Sequence, residues 1–132
     1  MCRWKQRFQN LEKAYAVFQR RIDDYKKEDD NEAYQMSLIQ AFEITIELSW
    51  KTLKDYLANE EKQVNSPKEV IRQSFQYRII EDGEEWMEAL AKRNLTTHTY
   101  DENTFKEILI FINEKFSYIL EKLYLNLKKE IN

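Results

Sequence analysis

Arg93, Asn94, His98 and Tyr100 fall within the eight residues Arg93-Asn94-Leu95-Thr96-Thr97-His98-Thr99-Tyr100, and His98 is the only histidine in the chain. A guanidinium fork can grip a phosphate through two parallel hydrogen bonds. An imidazole beside it can take a proton from a 2′-hydroxyl or return one to a leaving oxygen. With the guanidinium holding charge on the phosphorane, these two groups are the minimum for metal-free RNA cleavage. The same residue types also cap helix ends and bond one another at a helix–helix junction. An Arg-x4-His spacing alone does not choose between the two.

Geometry adds a condition. In an uninterrupted helix residue i+5 is turned by about 140° and residue i+7 by about 20°. Arg93 and Tyr100 would then share a face and His98 would not. Three of the eight residues are Thr, which loses side-chain freedom in a helix. A break at Thr96-Thr97 is therefore expected. It frees His98 to turn toward Arg93, just ahead of the next helix, whose positive end attracts phosphate.

The elements that must position this stretch read as helices throughout. Trp4, Phe8, Leu11, Tyr15, Phe18, Ile22 and Tyr25 recur at alternating spacings of four and three, an unbroken seam that predicts a first helix from about Trp4 to Lys27. A second is predicted from Glu32 to Asn59. Ile39, Phe42, Ile46, Trp50, Leu53 and Leu57 form one of its stripes, and Leu38, Ala41, Thr45, Leu48 and Tyr56 a neighbouring one. A face that wide serves either several helices of its own chain or a subunit interface as well. Residues 60–65 are a polar connector. Ser66-Pro67-Lys68-Glu69 then starts a third helix with Ser as N-cap, Pro in the first turn and Glu completing a capping box. Its apolar residues Val70, Ile71, Phe75 and Ile79 carry it to about Ile80. Asp82-Gly83 breaks it, and a fourth helix follows from about Glu84 to Leu95 with Trp86, Met87, Leu90 and Leu95 facing inward. The last helix begins near Asp101, capped by Asp101 or Thr99. Its seam of Phe105, Leu109, Ile112, Phe116, Ile119, Leu123 and Leu127 ends at Lys128-Lys129. The expected fold is all-α, one domain over residues 1–132: an antiparallel four-helix bundle of three long helices, with the two shorter ones acting together as the fourth member.

Composition excludes several alternatives. The 132 residues hold one Gly and one Pro, where average usage gives about nine and about seven. Tight-turned sheets, phosphate-cradling loops and dinucleotide folds need more glycine than that. A ferritin-like metal site needs Glu-x-x-His pairs, and the one histidine has Leu95 three positions before it. There is no cluster of Cys and His for zinc, no Walker loop, and no Gly-Ser turn with an Asp-x-Asp pair for nucleotidyl transfer. No metal or cofactor is expected. Asp23-Asp24 and Glu28-Asp29-Asp30 read as a solvated helix end and loop. The net charge of −3 argues against broad coating of nucleic acid, while leaving room for a local basic site. The lone Cys2, the absence of an apolar leader in MCRWKQRF and the absence of a long apolar run lead to the expectation of a cytoplasmic setting without a membrane span.

The block from Ala41 to Leu57 (AFEITIELSWKTLKDYL), the stretch Ser66-Pro67-Lys68-Glu69-Val70-Ile71-Arg72, and Trp86 through Tyr100 together resemble the nucleotidyltransferase substrate-binding protein family. That family is a branch of the HEPN helical-bundle superfamily, similar to the helical domain of kanamycin nucleotidyltransferase. The resemblance spans nearly the whole chain in order, and its most specific parts are the second-helix block and residues 93–100. It implies one of two functions. In the first the chain is a HepT-like toxin, a HEPN endoribonuclease whose Arg-x4-His motifs meet in a homodimer. A minimal nucleotidyltransferase encoded nearby then silences it by transferring AMP to the motif tyrosine. In the second it is a non-catalytic substrate-binding subunit of a two-component nucleotidyltransferase. Matched position by position, Arg93 and His98 take the catalytic places, Asn94 the supporting polar place and Tyr100 the place of the AMP acceptor. RNA, the partner nucleotidyltransferase and a second copy of the chain, as dimer or larger complex, are the implied partners.

Overall fold

A computed structural model describes residues 2–131. It is all-helical. The elements are α1 (Arg3–Lys27), α2 (Glu32–Asn59), α3 (Pro67–Gln76), α4 (Gly83–Asn94), a 3-10 turn (Thr96–His98), α5 (Glu102–Phe111), a π-helical turn (Ile112–Phe116) and α6 (Ser117–Ile131). The last three run on as one rod, so the expected five helices are present.

The seam of α1 is buried as its spacing demands, from Trp4 through Ile22. A short loop returns the chain into α2, and Trp4 meets Tyr56 edge-on at 5.1 Å. Arg7 Nε donates to Asp55 at 3.0 Å. On its other side α1 lies antiparallel to the last rod: Phe8 stacks on Tyr124 and Phe18 meets Phe116. The carboxylate of Glu12 accepts from Tyr124 at 2.6 Å and from Lys128 at 2.7 Å. Those two bonds hold its carboxyl below the ordinary range.

The wide face of α2 is used within its own chain, against α1, α3, α4 and α5. Small polar residues in it keep the helix close to its neighbours. Thr45, Ser49 and Thr52 are buried and donate their hydroxyls to carbonyls four residues back, so none of these three buried donors is left unmet. Trp50 departs from expectation. It is only partly buried: it packs against the core and also lines a cleft.

Ser66 caps α3, accepting from the Glu69 amide at 3.2 Å, and Pro67 opens it. The reciprocal half of the predicted capping box is replaced, because the Glu69 carboxylate pairs with Arg72. α3 also stops four residues earlier than predicted. Ile79 N–H bonds the Ser74 carbonyl and Arg78 N–H the Phe75 carbonyl, with Arg78 at φ 61°. This is a Schellman closure, whose left-handed position usually holds Gly. α2 ends the same way at Glu61, φ 63°, with Lys62 bonded to Leu57 and Glu61 to Ala58. A chain with one glycine builds these turns from charged residues. Phe75, one of the apolar residues of the third helix, is 52% exposed. Its ring lies 3.1 Å from where a Cβ on Gly83 would sit, so a side chain there would require the ring to give by a few tenths of an ångström.

The π-helical turn was not foreseeable from the seam. In an α-helix Phe111 and Phe116 would point about 140° apart. The wider turn brings both inward. Phe116 then meets Phe42 at 4.7 Å, Phe18 at 5.6 Å and Trp86 at 5.9 Å, all nearly edge-on. Edge-to-face packing adds to area burial, and Phe116 is where α1, α2, α4 and the last rod converge.

Candidate functional site

α4 stops where the Thr-rich stretch begins. Asn94 is its last residue, and Thr96–His98 form a single 3-10 turn. Asp101, rather than Thr99, caps α5: its carboxylate accepts from the Asn103 amide at 3.2 Å and from the Thr104 hydroxyl at 3.0 Å. The predicted break is present.

The break separates two environments. On one side Arg93 is partly buried and its Nη2 lies 3.1 Å from Glu47 Oε2 on α2. The same oxygen accepts from Trp50 Nε1 at 3.2 Å, and Lys51 sits 3.2 Å from Oε1. Burial pushes the Glu47 carboxyl up. Hydrogen bonds from Trp50 and Lys51 and the charges of Arg93 and Lys51 outweigh it, so the group is held below the ordinary carboxylate range. The hydroxyl of Thr96 lies 2.9 Å from Glu43 Oε2 and 2.7 Å from the Arg93 carbonyl. Its single proton can serve either acceptor. Glu43 and Glu47, one turn apart on α2, therefore fasten the end of α4 and the start of the turn. Arg93 and Asn94 open onto a cleft of about 390 Å³ shared with Trp50, Lys68 and Leu90.

On the other side His98 and Tyr100 stand in solvent. Tyr100 is 82% exposed, and its hydroxyl lies 3.1 Å from His98 Nδ1. Either the phenol donates to a bare Nδ1 or an Nδ1–H donates to the phenolic oxygen. Tyr100 and Thr99 border a second hollow, of about 600 Å³, with Met36, Phe105 and Leu109. Met36 is itself half-exposed. Among the described residues no hydrogen bond joins His98 to Arg93. The break thus brings His98 to Tyr100, and Arg93 to Glu47.

The sequence pointed to Arg93, Asn94, His98 and Tyr100. It did not point to Glu43, Glu47, Trp50 or Lys68. Glu43 and Glu47 lie outside both apolar stripes of the second helix, and Trp50 reads as one more member of a stripe. The available signal was a pair of glutamates at i, i+4 bordering that stripe, where a solvated face needs neither.

A family match and a relative make the chain HepT-like, of the HEPN superfamily. The chain belongs to the family described as nucleotidyltransferase substrate binding protein like, which it matches over residues 6–129. It is 30% identical over 95 residues to a Haemophilus influenzae protein named "Probable ribonuclease HepT", with 64% of each chain covered. The chain thus spans just under two thirds of that relative's length. The fold is similar to the crystal structure of a Thermus thermophilus protein, with a TM-score of 0.80 and 29% identity, over 89% of this chain and 98% of that one. Among the described residues no helix is long and apolar enough to cross a membrane.

Proposed function

We propose that this chain is a HEPN-type toxin, a metal-independent endoribonuclease that acts in the cytoplasm as a homodimer. The observation that carries the reading is the divided motif: a held guanidinium on one side of the turn and an exposed imidazole on the other. A second copy, packed with its turn against the first, supplies the missing half of each site. Arg93 of one protomer grips the scissile phosphate while His98 of its partner exchanges protons with the sugar and leaving oxygens. Asn94, at the exposed end of α4, orients the strand. The 2′-oxygen attacks phosphorus, the bond to the 5′-oxygen breaks, and the proton lost by the 2′-hydroxyl is balanced by one delivered to the leaving oxygen.

Tyr100 is the regulatory position. A cognate minimal nucleotidyltransferase would bring ATP. The phenolic oxygen then bonds to the α-phosphorus, pyrophosphate leaves, and the phenolic proton passes to a base, for which His98 Nδ1 stands at hydrogen-bond distance. The AMP so placed covers His98. The exposure of Tyr100 supports this reading, since an acceptor must reach the active site of another protein.

The test is cleavage of single-stranded RNA by purified protein in the presence of a chelator. Wild type cuts and His98→Ala does not. Equal integrity of the RNA with both proteins, each dimeric, removes the ribonuclease reading. The second reading, a substrate-binding subunit for a nucleotidyltransferase, is favoured by the family description and by the cleft beside Arg93. It predicts ligand binding without cleavage.

A further inference from the structure

We propose that the cleft between α2 and the α3–α4 region is a nucleotide subsite, with the base against Trp50 and the phosphate on Arg93 and Lys68. Its volume of about 390 Å³ lies within the range of small-molecule sites, about 300–1,000 Å³. Trp50, Pro67 and Leu90 give it an apolar wall, and Arg93, Asn94 and Lys68 a polar rim. Trp50 is the exception among the tryptophans: Trp4 and Trp86 are fully buried, whereas Trp50 is partly accessible and lines the cleft. Its N–H edge is already spent on Glu47. A ligand therefore meets the indole by stacking, which accepts any base because every base has a π-face. The carboxylate that fixes Trp50 also fixes Arg93, so aromatic platform and cation are set relative to each other by one group. Arg93 Nε is buried, so a phosphate meets the exposed part of the guanidinium, on a side chain that is 40% accessible, and a guanidinium is shaped for phosphate oxygens. The rim carries two cations against the single carboxylate of Glu47, a local positive excess on a chain of net charge −3.

This subsite extends the ribonuclease reading, since it places recognition next to the phosphate that Arg93 holds. The same chemistry also suits a free nucleotide, and the experiment separates the two. Binding of a labelled RNA pentanucleotide, and of AMP and UMP, is measured to the full dimeric protein in a non-cleaving His98→Ala background. Trp50→Ala weakens binding about tenfold, the size of one lost base stack. Trp50→Phe, which keeps a ring, stays within about threefold of the parent. Lys68→Glu, an exposed change that leaves the core alone, weakens binding and flattens its salt dependence. Loss confined to the pentanucleotide assigns the subsite to RNA, and loss confined to AMP and UMP assigns it to a free nucleotide. Unchanged affinity for all three ligands in folded Trp50→Ala and Lys68→Glu overturns the proposal, whether or not wild type cuts RNA. Trp50-dependent binding in a protein that never cuts RNA keeps the subsite and removes the nuclease.

Discussion

Arg93 and Thr96, on one side of the turn, are fastened to α2 through Glu47 and Glu43. His98 and Tyr100, on the other, stand in solvent and bond each other. A group that must grip a phosphate gains from being held in advance, because less side-chain freedom is lost when the ligand arrives. A group that must be reached by a partner's active site has to stay outside. On the proposed function the two halves of the Arg-x4-His-x-Tyr stretch serve different tasks, although they are neighbours in the chain.

The largest effect expected is on the exposed side. His98→Ala lowers RNA cleavage by about 10²–10⁴-fold, the usual worth of a positioned acid–base group. As His98 is exposed, the unfolding free energy stays within about 0.5 kcal/mol of wild type. A large loss of stability would show that the imidazole is structural and erase the contrast between the two sides.

On the fastened side the expected change is in stability as well as rate. Glu47→Gln removes the charge that holds Arg93 and Lys51, and costs about 1 kcal/mol for a partly exposed pair. It also changes the acid branch of the stability curve. The Glu47 carboxyl is held below its ordinary value of 4.5. Its contribution is therefore complete above that pH and is lost as pH falls through the lowered folded value. Chemical denaturation between pH 6 and pH 3 should show a shallower loss in Glu47→Gln than in wild type, and identical slopes would separate Glu47 from Arg93.

Thr96→Val tests the second fastening. It deletes the hydroxyl shared by Glu43 and the Arg93 carbonyl while keeping a β-branched residue, at a cost of about 1 kcal/mol in urea unfolding. No change would mean that the turn is held by its backbone alone.

The smallest expected effect is that of Tyr100→Phe on cleavage, within about threefold, with stability unchanged within about 0.5 kcal/mol. Mass spectrometry after co-expression with the partner nucleotidyltransferase is the informative readout: the mass of AMP on wild type and none on the variant. AMP on the variant would place the acceptor elsewhere.

Much of this was legible in the sequence. The seam of α1, both ends of α2 and the Ser66-Pro67 start are local patterns of period and capping, and local patterns survive folding. The break at Thr96-Thr97 was legible for the same reason. Three features were not. The closures at Glu61 and Arg78 use residues that avoid left-handed backbone, so no turn signal marks them. The π-helical turn is imposed by the demand that Phe111 and Phe116 both reach the core, which becomes visible only when Phe18, Phe42 and Trp86 are in place. The fastening of Arg93 joins it to Glu47, far back in the chain on a different helix, and neither glutamate differs in type from the other acids of the chain. The motif carries the chemistry of the proposal; the residues that hold Arg93 came from tertiary structure.

The central claim is that each catalytic site takes Arg93 from one protomer and His98 from the other. Arg93→Ala and His98→Ala chains carrying different tags can be co-expressed and the mixed dimer isolated. Each parent homodimer is inactive. The mixed dimer retains one intact site of two by symmetry, and should cut RNA at about half the wild-type rate. A mixed dimer as inactive as its parents, beside an active wild type, would contradict the claim.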